Sequence, residues 1–495
     1  MRVLFLFRNA EWLGIEYLSA MLKQAGHETD LVFDPGAGDI EMRIGLLDPR
    51  ARFNRLLARR LAEFAPDMVC FSVLTNLFPW VREQAAAVKR LRPGTTVVAG
   101  GIHPTMFPEV VLRDPHIDII CRGEEKDAIV ELTAALARGE REFAIPNIGY
   151  QRGDNSMVIN PLRPLRQDLD ALPLPDKELF HRWGCFDRRL YVMTGRGCPY
   201  NCTYCFNHTY KRLYQGSGAY VRQRSVDNVL HELRIFAARY GTRDIFFYDD
   251  TFTQNHGWLR EFLPRYRAEI GLPFACNVRA NTITAEVAQL LKASGCTYVV
   301  MGVESGTERV RNDIMKRNLS DAAMLAAAGH FHAAGLTVCT LNIIGVPGET
   351  AEEMWSTVAF NHRLGPLGGS MASTFYPFPE TDLFHLAREA GMMDEAVRLQ
   401  VENGEGSYRS GSLLHHPEKE TIARVTAFEP LMVRLPRWTH PLFRRLPPLA
   451  VFRLLAVPFF APWLHFRYRI SELLRMQWRF WQLTRAEAAD HGGPR

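Results

Sequence analysis

The stretch Gly195-Arg-Gly-Cys198-Pro-Tyr-Asn-Cys202-Thr-Tyr-Cys205-Phe-Asn207 places three cysteines on one short segment. Cubane iron–sulfur clusters are bound through soft cysteine sulfur. Three thiolates on one loop can hold three irons of a [4Fe-4S] cluster and leave the fourth iron open to a substrate or cofactor. The stretch therefore predicts a metal centre formed by Cys198, Cys202 and Cys205.

Other roles for these cysteines are open but fit less well. A structural zinc site usually shows paired two-residue spacings with a fourth Cys or His at a distance, and three closely spaced cysteines depart from that pattern. Disulfides are not expected, because the 495-residue chain has nine cysteines and begins with an apolar, strand-like segment instead of a secretory leader. A reducing, cytoplasmic location is the expectation. The other six cysteines lie mostly in apolar runs and are predicted to be small buried side chains.

The cysteine motif resembles the signature of the radical S-adenosylmethionine (SAM) enzymes, C-x-x-x-C-x-aromatic-C, with Tyr204 as the aromatic residue. The resemblance implies that the open iron chelates the amino and carboxylate groups of SAM. One electron from the cluster then cleaves SAM to a 5′-deoxyadenosyl radical. It also implies an electron donor such as flavodoxin or ferredoxin.

Residues 1–150 are predicted to form a Rossmann-like, doubly wound α/β domain. Short apolar runs alternate with stretches of helical spacing, and this alternation implies a parallel sheet with helices on both faces. Such sheets bind ligands beyond the carboxyl ends of their strands. The strand-like runs are Arg2–Phe7, Thr29–Phe33, Met68–Ser72, Thr96–Ala99 and Ile117–Cys121.

The ends of these runs carry Ser72-Val-Leu74, Gly100-Gly101-Ile-His103-Pro-Thr105 and Arg122-Gly123-Glu124. Glycines after a strand let the backbone approach a large ligand, although a lone Gly-Gly would indicate only a turn. In combination they resemble the S-x-L and G-G elements of cobalamin-binding domains. The resemblance implies that cobalamin contacts the residues Ser72, Leu74, Gly100, Gly101, His103, Thr105, Gly123 and Glu124.

The first element of that cobalamin signature, D-x-H-x-x-G, is missing. Its nearest approach is Asp114-Pro-His116, which lacks the glycine and falls after Gly101. The chain thus resembles the cobalamin-dependent branch of the radical SAM enzymes, many of which leave the lower face of cobalt to another residue or to water. Axial ligation tunes a metal cofactor, so this departure is expected to change reactivity.

Residues 151–180 are predicted to be a proline-containing linker, and residues 181–400 the radical SAM barrel. In the second segment, strand-like runs again alternate with helical stretches. Their number fits the partial (β/α)6 barrel of the family, in which cofactor and substrate lie at the strand carboxyl ends. The runs are Leu190–Met193, Asp244–Tyr248, Phe274–Val278, Tyr298–Met301 and Thr337–Ile344.

Polar residues or glycine follow each of these barrel runs. The resemblance implies that a carboxylate after the second strand binds the SAM ammonium group, that the fourth strand reaches the ribose or carboxylate, and that the fifth lies near adenine. Each carboxylate alone could instead be a helix cap or a surface charge. The fifth strand departs from the family pattern G-x-I-x-G-x-x-E, with Leu341 at the first glycine and the acid one place late at Glu349. The expected SAM-binding residues are Tyr204, Asp249, Asp250, Arg279, Glu304, Ser305 and Gly345.

Residues 401–495 are predicted to be a mainly helical, basic extension. From Leu431 onward there are eleven Arg and no Lys against three acidic residues, a charge of +8 in a chain whose total is +5, so the rest sums to −3. The longest uncharged run, Leu454–Phe466, has 13 residues, fewer than the ~20 that a membrane span needs. The extension is expected to contact a membrane surface peripherally or to cap the substrate cavity. A nucleic-acid partner is not expected, since no known module is resembled.

The resemblance implies an enzyme that takes a hydrogen atom from an unactivated carbon and methylates it from methylcobalamin, which a second SAM regenerates. Cyclases and rearrangement enzymes share all these motifs and remain an alternative, as does a non-catalytic cobalamin or iron–sulfur sensor. Methylthio transfer is not expected, because no further cysteine cluster follows residue 340. The substrate is expected to be a small molecule. The extension favours a lipid or isoprenoid, although peptide and antibiotic intermediates use the same scaffold.

Overall fold

Two sheets, each built mainly of parallel strands and covered by helices, form the core of the chain. The computed structural model describes residues 1–36, 49–186, 188–406, 411–448 and 474–482. The first sheet has seven strands and the second has six. The predicted α/β class is confirmed: a Rossmann-like domain is followed by a partial barrel and a helical C-terminal part.

The first sheet contains the strands β1 (Arg2–Arg8), β2 (Glu28–Asp34), β3 (Met68–Ser72), β4 (Thr96–Gly100), β5 (Ile119–Cys121), β6 (Ile148–Gln151) and β7 (Met157–Ile159). Their order across the sheet is β2-β1-β3-β4-β5-β6-β7. Strands β1 to β5 pair in parallel and are buried apolar runs, as a sheet covered on both faces requires. Strands β6 and β7 join antiparallel at the edge.

Helices pack on both faces of this sheet. They are α1 (Leu13–Gln24), α2 (Pro49–Phe64), α3 (Phe78–Leu91), α4 (Ile102–Met106), α5 (Pro108–Leu112) and α6 (Lys126–Ala137). Helix α4 begins directly after β4, and α5 follows it, so the Gly100-Gly101 pair forms the turn between sheet and helix. Gly101 has φ +99°, a conformation that glycine adopts without strain.

The predicted linker, residues 151–180, does more than connect the two sheets. It contributes β7 to the first sheet, so that sheet extends beyond residue 150, and it ends in the short helix α7 (Glu178–His181). Lys177 is fully buried and forms ion pairs with Glu11 and with Glu16 (2.9 Å), while its ammonium donates to the carbonyl of Tyr191 (3.0 Å). The linker is thereby fixed to both sheets.

The second half of the chain contains the strands β8 (Arg189–Val192), β9 (Gly195–Arg196), β10 (Arg222–Gln223), β11 (Asp244–Phe247), β12 (Phe274–Val278), β13 (Cys296–Glu304), β14 (Thr337–Ile344) and β15 (Leu367–Thr374). Six of them form one parallel sheet in the order β15-β14-β13-β12-β11-β8. Strands β9 and β10 form a separate antiparallel pair beside it. The sequence predicted five of the six barrel strands and missed β15.

The helices of this half are α8 (Phe206–Leu213), α9 (Val226–Tyr240), α10 (His256–Glu269), α11 (Ala285–Ala293), α12 (Asp321–Ala333), α13 (Ala351–Arg363), α14 (Asp382–Glu389), α15 (Glu395–Glu402), α16 (Lys419–Met432) and α17 (His440–Phe443). A π-helical turn, Arg309–Ile314, precedes α12. Helix α16 packs against β15 and so belongs to the barrel wall.

Of the predicted C-terminal extension, residues 474–482 are helical, and Met476 and Phe480 are buried against the main apolar core. The apolar run Leu454–Phe466 lies outside the described residues. In the part of the chain that the structure describes, no helix has both the length and the apolar composition needed to cross a membrane.

Candidate active site

The three motif cysteines lie on the loop between β9 and α8. Cys202 is buried, while Cys198 and Cys205 are half-buried. Burial raises the pKa of Cys198 above its ordinary value and the pKa of Cys205 to about 12. These thiols are therefore neutral on their own, and a bound metal, which deprotonates a coordinating thiol, would change that.

The donor set of this loop fits an iron–sulfur cluster, because such clusters are bound through soft cysteine sulfur and three thiols lie on one short segment. Arg279 Nη1 lies 3.6 Å from Cys202 Sγ, so a cation already faces one ligand sulfur.

Tyr204, Glu304 and Arg317 form a buried polar triad beside the cysteine loop. The Tyr204 hydroxyl donates to Glu304 Oε1 (3.2 Å), and Arg317 forms an ion pair with the same oxygen (2.9 Å) and donates to Tyr204. Burial raises the pKa of Glu304, and Arg317 partly opposes that rise. Glu304 ends β13 with φ +66°, an uncommon conformation for a residue with a side chain. The triad thus holds the residue before Cys205 against the end of a barrel strand.

The structure separates the two adjacent aspartates after β11. Asp249 is buried and accepts hydrogen bonds from the backbone N–H groups of Thr194 (3.0 Å) and Gly195 (2.8 Å) and from the Thr194 hydroxyl (3.0 Å). Its pKa is raised by burial to about 6. These bonds give Asp249 a structural role at the β8–β9 corner, and its expected contact with the SAM ammonium group stays a prediction. Asp250 is exposed, and its pKa is raised by burial of the carboxyl and lowered in part by a hydrogen bond from Asn207.

Ser305 and Gly345 are also packed within the barrel and do not line an open surface. Ser305 is fully buried, and its carbonyl accepts from Arg311 Nη1 (2.9 Å). Gly345 has φ +84°, its N–H donates to Glu349 Oε2 (2.6 Å), and a Cβ there would overlap Ile422 of α16. These two residues are predicted SAM contacts, and the structure shows that each also has a role in packing.

In the first domain, the strand-end loops surround an apolar recess. Val73, between Ser72 and Leu74, donates to the carbonyl of Gly100 (2.7 Å) and accepts from His103 N–H (3.0 Å), which ties the two motif loops together. A Cβ on Gly100 would overlap the carboxylate of Glu125, and the Gly101 N–H donates to that carboxylate. The recess is lined by residues that include Phe5, Cys70, Ser72, Gly100, Cys121 and Glu125. The recess has a free volume of only about 10 Å³, so its lining side chains, with the Glu125 carboxylate against Gly100, nearly fill it.

His103 lies away from this recess. It is fully buried, with its ring 4.5 Å from the ring of Phe78 and 5.5 Å from that of Phe107. Burial lowers the pKa of His103 to about 3, and the backbone of Glu402 opposes that change, so the ring is neutral. His103 thus has a packing role in the structure, and its direct contact with cobalamin stays a prediction. Thr105 is also buried, and its hydroxyl donates to the carbonyl of Gly101 (2.6 Å).

Gly123 and Glu124 form the contact between the two sheets. The N–H of Glu124 donates to the Tyr214 hydroxyl (2.8 Å), and the Glu124 carboxylate pairs with Arg222 and with Arg196 (3.6 Å). These contacts lower the pKa of Glu124 despite its burial. Tyr214 directly follows α8, and Arg196 precedes the cysteine loop. The strand ends of the first sheet therefore face the loop that carries the cysteines.

Sequence reasoning missed Glu125, Arg317 and Tyr214. Glu125 stands one position after the predicted Glu124, and the Gly-Glu-Glu pattern at a strand end was its available signal. Arg317 lies far from any strand end along the chain, in a segment where Lys316 and Asn318 have positive φ. Tyr214 had no sequence signal, because its contact with Glu124 spans two domains.

Comparison with known proteins agrees with this geometry. Residues 192–360 match the Radical SAM superfamily, and residues 8–133 match the B12 binding domain. The fold and the site together define a protein with both a radical SAM domain and a cobalamin-binding domain.

Several relatives align over most of the chain. An uncharacterized methyltransferase of Pyrococcus horikoshii is 31% identical over 76% of this chain and 78% of the relative. The anaerobic magnesium-protoporphyrin IX monomethyl ester cyclase of Rubrivivax gelatinosus is 24% identical, with 78% and 69% covered. The hopanoid C-3 methylase of Methylococcus capsulatus is 26% identical, with 77% and 69% covered.

Solved structures share the fold. The cobalamin-dependent SAM radical enzyme OxsB has a TM-score of 0.65 at 14% identity, with 96% of this chain and 72% of that chain covered. The radical SAM methyltransferase TsrM from Kitasatospora setae, with cobalamin and a [4Fe-4S] cluster bound, has a TM-score of 0.62 at 18% identity, with 78% and 75% covered.

This chain belongs to the cobalamin-dependent radical SAM methyltransferase family. It is an enzyme, and its cofactors are a [4Fe-4S] cluster, SAM and cobalamin. The family assignment confirms the predicted cofactors, while the individual binding residues remain predictions that the geometry above refines.

Proposed function

We propose that this enzyme transfers a methyl group to an unactivated carbon of a small lipophilic molecule. The observation that carries the proposal is the contact of Tyr214 and Arg222 with Glu124, because it directs the cobalamin-type strand ends at the cysteine loop. When bound, the cluster with SAM supplies a radical that removes a hydrogen atom, and cobalamin supplies the methyl group. The chain must hold these groups within reach of one carbon and keep water away.

Different residues of the site would share that work. Cys198, Cys202 and Cys205 would hold the cluster, and Asp250, which is exposed beside them, would bind the SAM ammonium group. Arg279 would hold in place the sulfur of Cys202, one of the three cluster ligands. In the first domain, Gly100 and Gly101 would let cobalamin approach the sheet, with Ser72 and Leu74 on the neighbouring loop.

The lipophilic substrate is supported by the similarity to a hopanoid C-3 methylase and by the apolar composition of the C-terminal extension. We also propose that a flavodoxin or ferredoxin supplies electrons in the cytoplasm. Peripheral membrane contact through residues 401–495 is a further proposal, which sedimentation with anionic lipid vesicles would test.

The decisive experiment is anaerobic reconstitution with iron, sulfide and hydroxocobalamin, followed by reduction in the presence of methyl-labelled SAM. The proposal expects 5′-deoxyadenosine, label on cobalamin, and S-adenosylhomocysteine. Cys202→Ala should abolish 5′-deoxyadenosine, whereas Cys296→Ala, in β13 away from the loop, should not. Absence of 5′-deoxyadenosine from the intact, cluster-loaded enzyme would contradict the proposal.

A cyclase or rearrangement enzyme is the second candidate, because the chain is similar to the anaerobic cyclase of Rubrivivax gelatinosus. Stoichiometry separates the two. Methylation consumes two SAM molecules per product and releases S-adenosylhomocysteine. A cyclase releases no S-adenosylhomocysteine. 5′-Deoxyadenosine without S-adenosylhomocysteine, once a substrate turns over, would favour the cyclase.

A further inference from the structure

Large apolar side chains are strongly exposed in the described residues that follow α16. Five such side chains are more than half exposed in the part of the chain that the structure describes, and four of them lie here: Trp438 (81%), Leu442 (60%), Leu474 (65%) and Trp478 (53%). Each Trp stands four positions from a Leu in a helical segment, so the two side chains of each pair share a face. Singly exposed apolar residues are ordinary on a protein surface, whereas a group of them marks an interaction site.

The first segment, residues 434–446, is fixed to the barrel with its apolar pair outward. Phe443 packs against Phe428 of α16, with ring centres 5.4 Å apart. His440 Nε2 lies 3.0 Å from the last carbonyl oxygen of that helix. Because the inner face of the segment is held in this way, the indole of Trp438 faces solvent instead of the barrel interior. Its exposure is a property of the packed structure.

The same segment is rich in cations. It contains four arginines and no acidic residue: Arg434, Arg437, Arg444 and Arg445. Arg444 forms an ion pair with Glu352 of α13 (3.3 Å). Arg437 and Arg445 are exposed, and no carboxylate in the described residues lies within ion-pair distance of either. Uncompensated positive charge therefore lies directly beside the exposed apolar pair.

The second segment, residues 474–482, repeats this arrangement. Its helix buries Met476 and Phe480 against the main apolar core and exposes its Leu and Trp on the other side. The rings of Trp478 and Trp481 stack with their centres 5.0 Å apart, and Arg479 is exposed beside them. Two separate segments thus combine aromatic, aliphatic and cationic side chains on their outer faces.

Both segments reach the end of the barrel at which its strands begin. Arg434 of the first segment donates to the carbonyl of Gly368, the second residue of β15. Arg479 of the second lies against Gly184, which precedes β8 along the chain. Strands β8 and β15 are the two edges of the barrel sheet. The cysteine loop follows the carboxyl end of β8, so these segments are separate from the candidate active site.

We propose that these two segments bind the surface of an anionic phospholipid bilayer, with Trp438, Leu442, Leu474 and Trp478 in the headgroup region and the arginines against lipid phosphates. The inference rests on the peripheral membrane contact in the proposed function and names its surface and its lipid. Tryptophan favours the membrane interface because its ring is apolar with one polar edge, and anionic lipids attract arginine. A nucleic acid is less suited, because it binds through stacking and charge and leaves exposed leucines unused.

The test is co-flotation of the full-length protein with vesicles of phosphatidylcholine, with and without phosphatidylglycerol. Binding should require phosphatidylglycerol and should weaken as salt is added. Leu442→Ser and Trp478→Ala should each weaken binding several-fold, and Arg437→Glu should weaken it and reduce its dependence on salt. The matched controls Leu91→Ser and Arg90→Glu alter an exposed leucine and an exposed arginine at the end of α3 in the first domain, and they should bind like the parent.

A second measurement reports insertion directly. Lipids brominated along their acyl chains should quench part of the tryptophan fluorescence of the parent and less of that of Trp438→Phe. The proposal is overturned if the parent does not bind anionic vesicles or binds neutral ones equally well. It is also overturned if Leu442→Ser, Trp478→Ala and Arg437→Glu, shown by circular dichroism to be folded, all bind like the parent.

Two further results separate this inference from its alternatives. Binding of a DNA oligonucleotide that the same variants lose, without vesicle binding, would overturn the proposal in favour of a nucleic-acid surface. Assay of 5′-deoxyadenosine in the same preparation separates it from the proposed chemistry. Vesicle binding without 5′-deoxyadenosine would leave the membrane surface standing and refute the chemistry, whereas 5′-deoxyadenosine without vesicle binding would refute the surface alone.

Discussion

Arg279 holds its guanidinium group against the sulfur of Cys202, with Nη1 3.6 Å from Sγ. The group is fixed on two further sides: it lies 3.7 Å from the centre of the Tyr200 ring, and Nη2 donates to the carbonyl of Arg317. Arg279 is only 5% exposed. A positive charge that cannot turn away is therefore built against one of the three expected cluster ligands.

Arg279→Gln should make the reduction potential of the reconstituted cluster more negative. Reduction adds negative charge to the cluster, and both a nearby cation and a hydrogen bond to a ligand sulfur favour that state. Redox titration followed by electron paramagnetic resonance measures the change. The reduction potential of Arg279→Lys should lie between those of the parent and Arg279→Gln, because lysine keeps the charge but lacks the planar donor geometry. Arg260→Gln, an exposed arginine on α10, is the control, and an unchanged potential in Arg279→Gln with full iron content would contradict the expectation.

Gly123→Ala should weaken the contact between the two sheets. A Cβ at this position would overlap the Tyr214 hydroxyl, and φ of Gly123 is +69°. Gly139 provides a matched control, since it has φ +82° and open space around its Cα. Gly139→Ala should lower the free energy of unfolding only by the backbone strain, ~1 kcal/mol. Gly123→Ala should lower it by more and should also lower the affinity for cobalamin. Thermal unfolding and cobalamin titration measure both, and equal effects of the two substitutions would count against the interface.

Much of the fold follows from short apolar runs. Met68–Ser72 and Thr337–Ile344 were predicted with the bounds that the structure shows, because each consists mainly of apolar and β-branched residues, as a covered parallel strand does. Strand β15 was missed because Leu-Gly-Gly-Ser-Met-Ala-Ser-Thr contains two glycines and two serines and no apolar run. Helix α16 of the predicted extension packs against β15 and covers it.

The site was predicted where one short segment contains the chemistry and less well where distant segments meet. Cysteine spacing is a local property, so Cys198, Cys202 and Cys205 needed no fold to be found. Asp249 and Asp250 are adjacent, and only the fold determines that Asp249 is buried against Thr194 while Asp250 is exposed. Arg317 reaches Glu304 because the chain reverses after the π-helical turn, which sequence periodicity does not reveal.

Lys177→Met should destabilise the protein by about 3–5 kcal/mol, because it leaves Glu11 and Glu16 buried without their counter-charge. The pair of carboxylates already raises the pKa of Lys177, despite its burial. Urea unfolding measures the loss. The exposed pair Arg260–Glu286 is the control, and Arg260→Met should change stability by at most about 1 kcal/mol. Comparable losses at the two sites would show that the linker is not fixed by this cluster.

Glu429 of α16 places a carboxylate in the wall of the barrel, and no cation among the described residues pairs with it. It is fully buried, accepts hydrogen bonds from Ser370 and from Asn342 (3.2 Å), and burial raises its pKa from 4.5 to about 8. Between pH 4.5 and about 8, Glu429 is therefore protonated in the folded state and ionised in the unfolded state. The contribution of Glu429 to stability is greatest below pH 4.5 and is lost as the pH rises toward 8.

Glu429→Gln should remove that loss, because the amide stays neutral and can still accept from Ser370. The variant should match the parent near pH 4.5 and exceed its free energy of unfolding near pH 8 by about 4 kcal/mol. Urea unfolding at both pH values measures the difference, and subtracting the parent removes the contribution of every other titrating group. Glu420→Gln, on the exposed side of the same helix, should change neither value. A variant less stable than the parent at the higher pH would mean that Glu429 is ionised in the folded wall and is stabilised there by its donors.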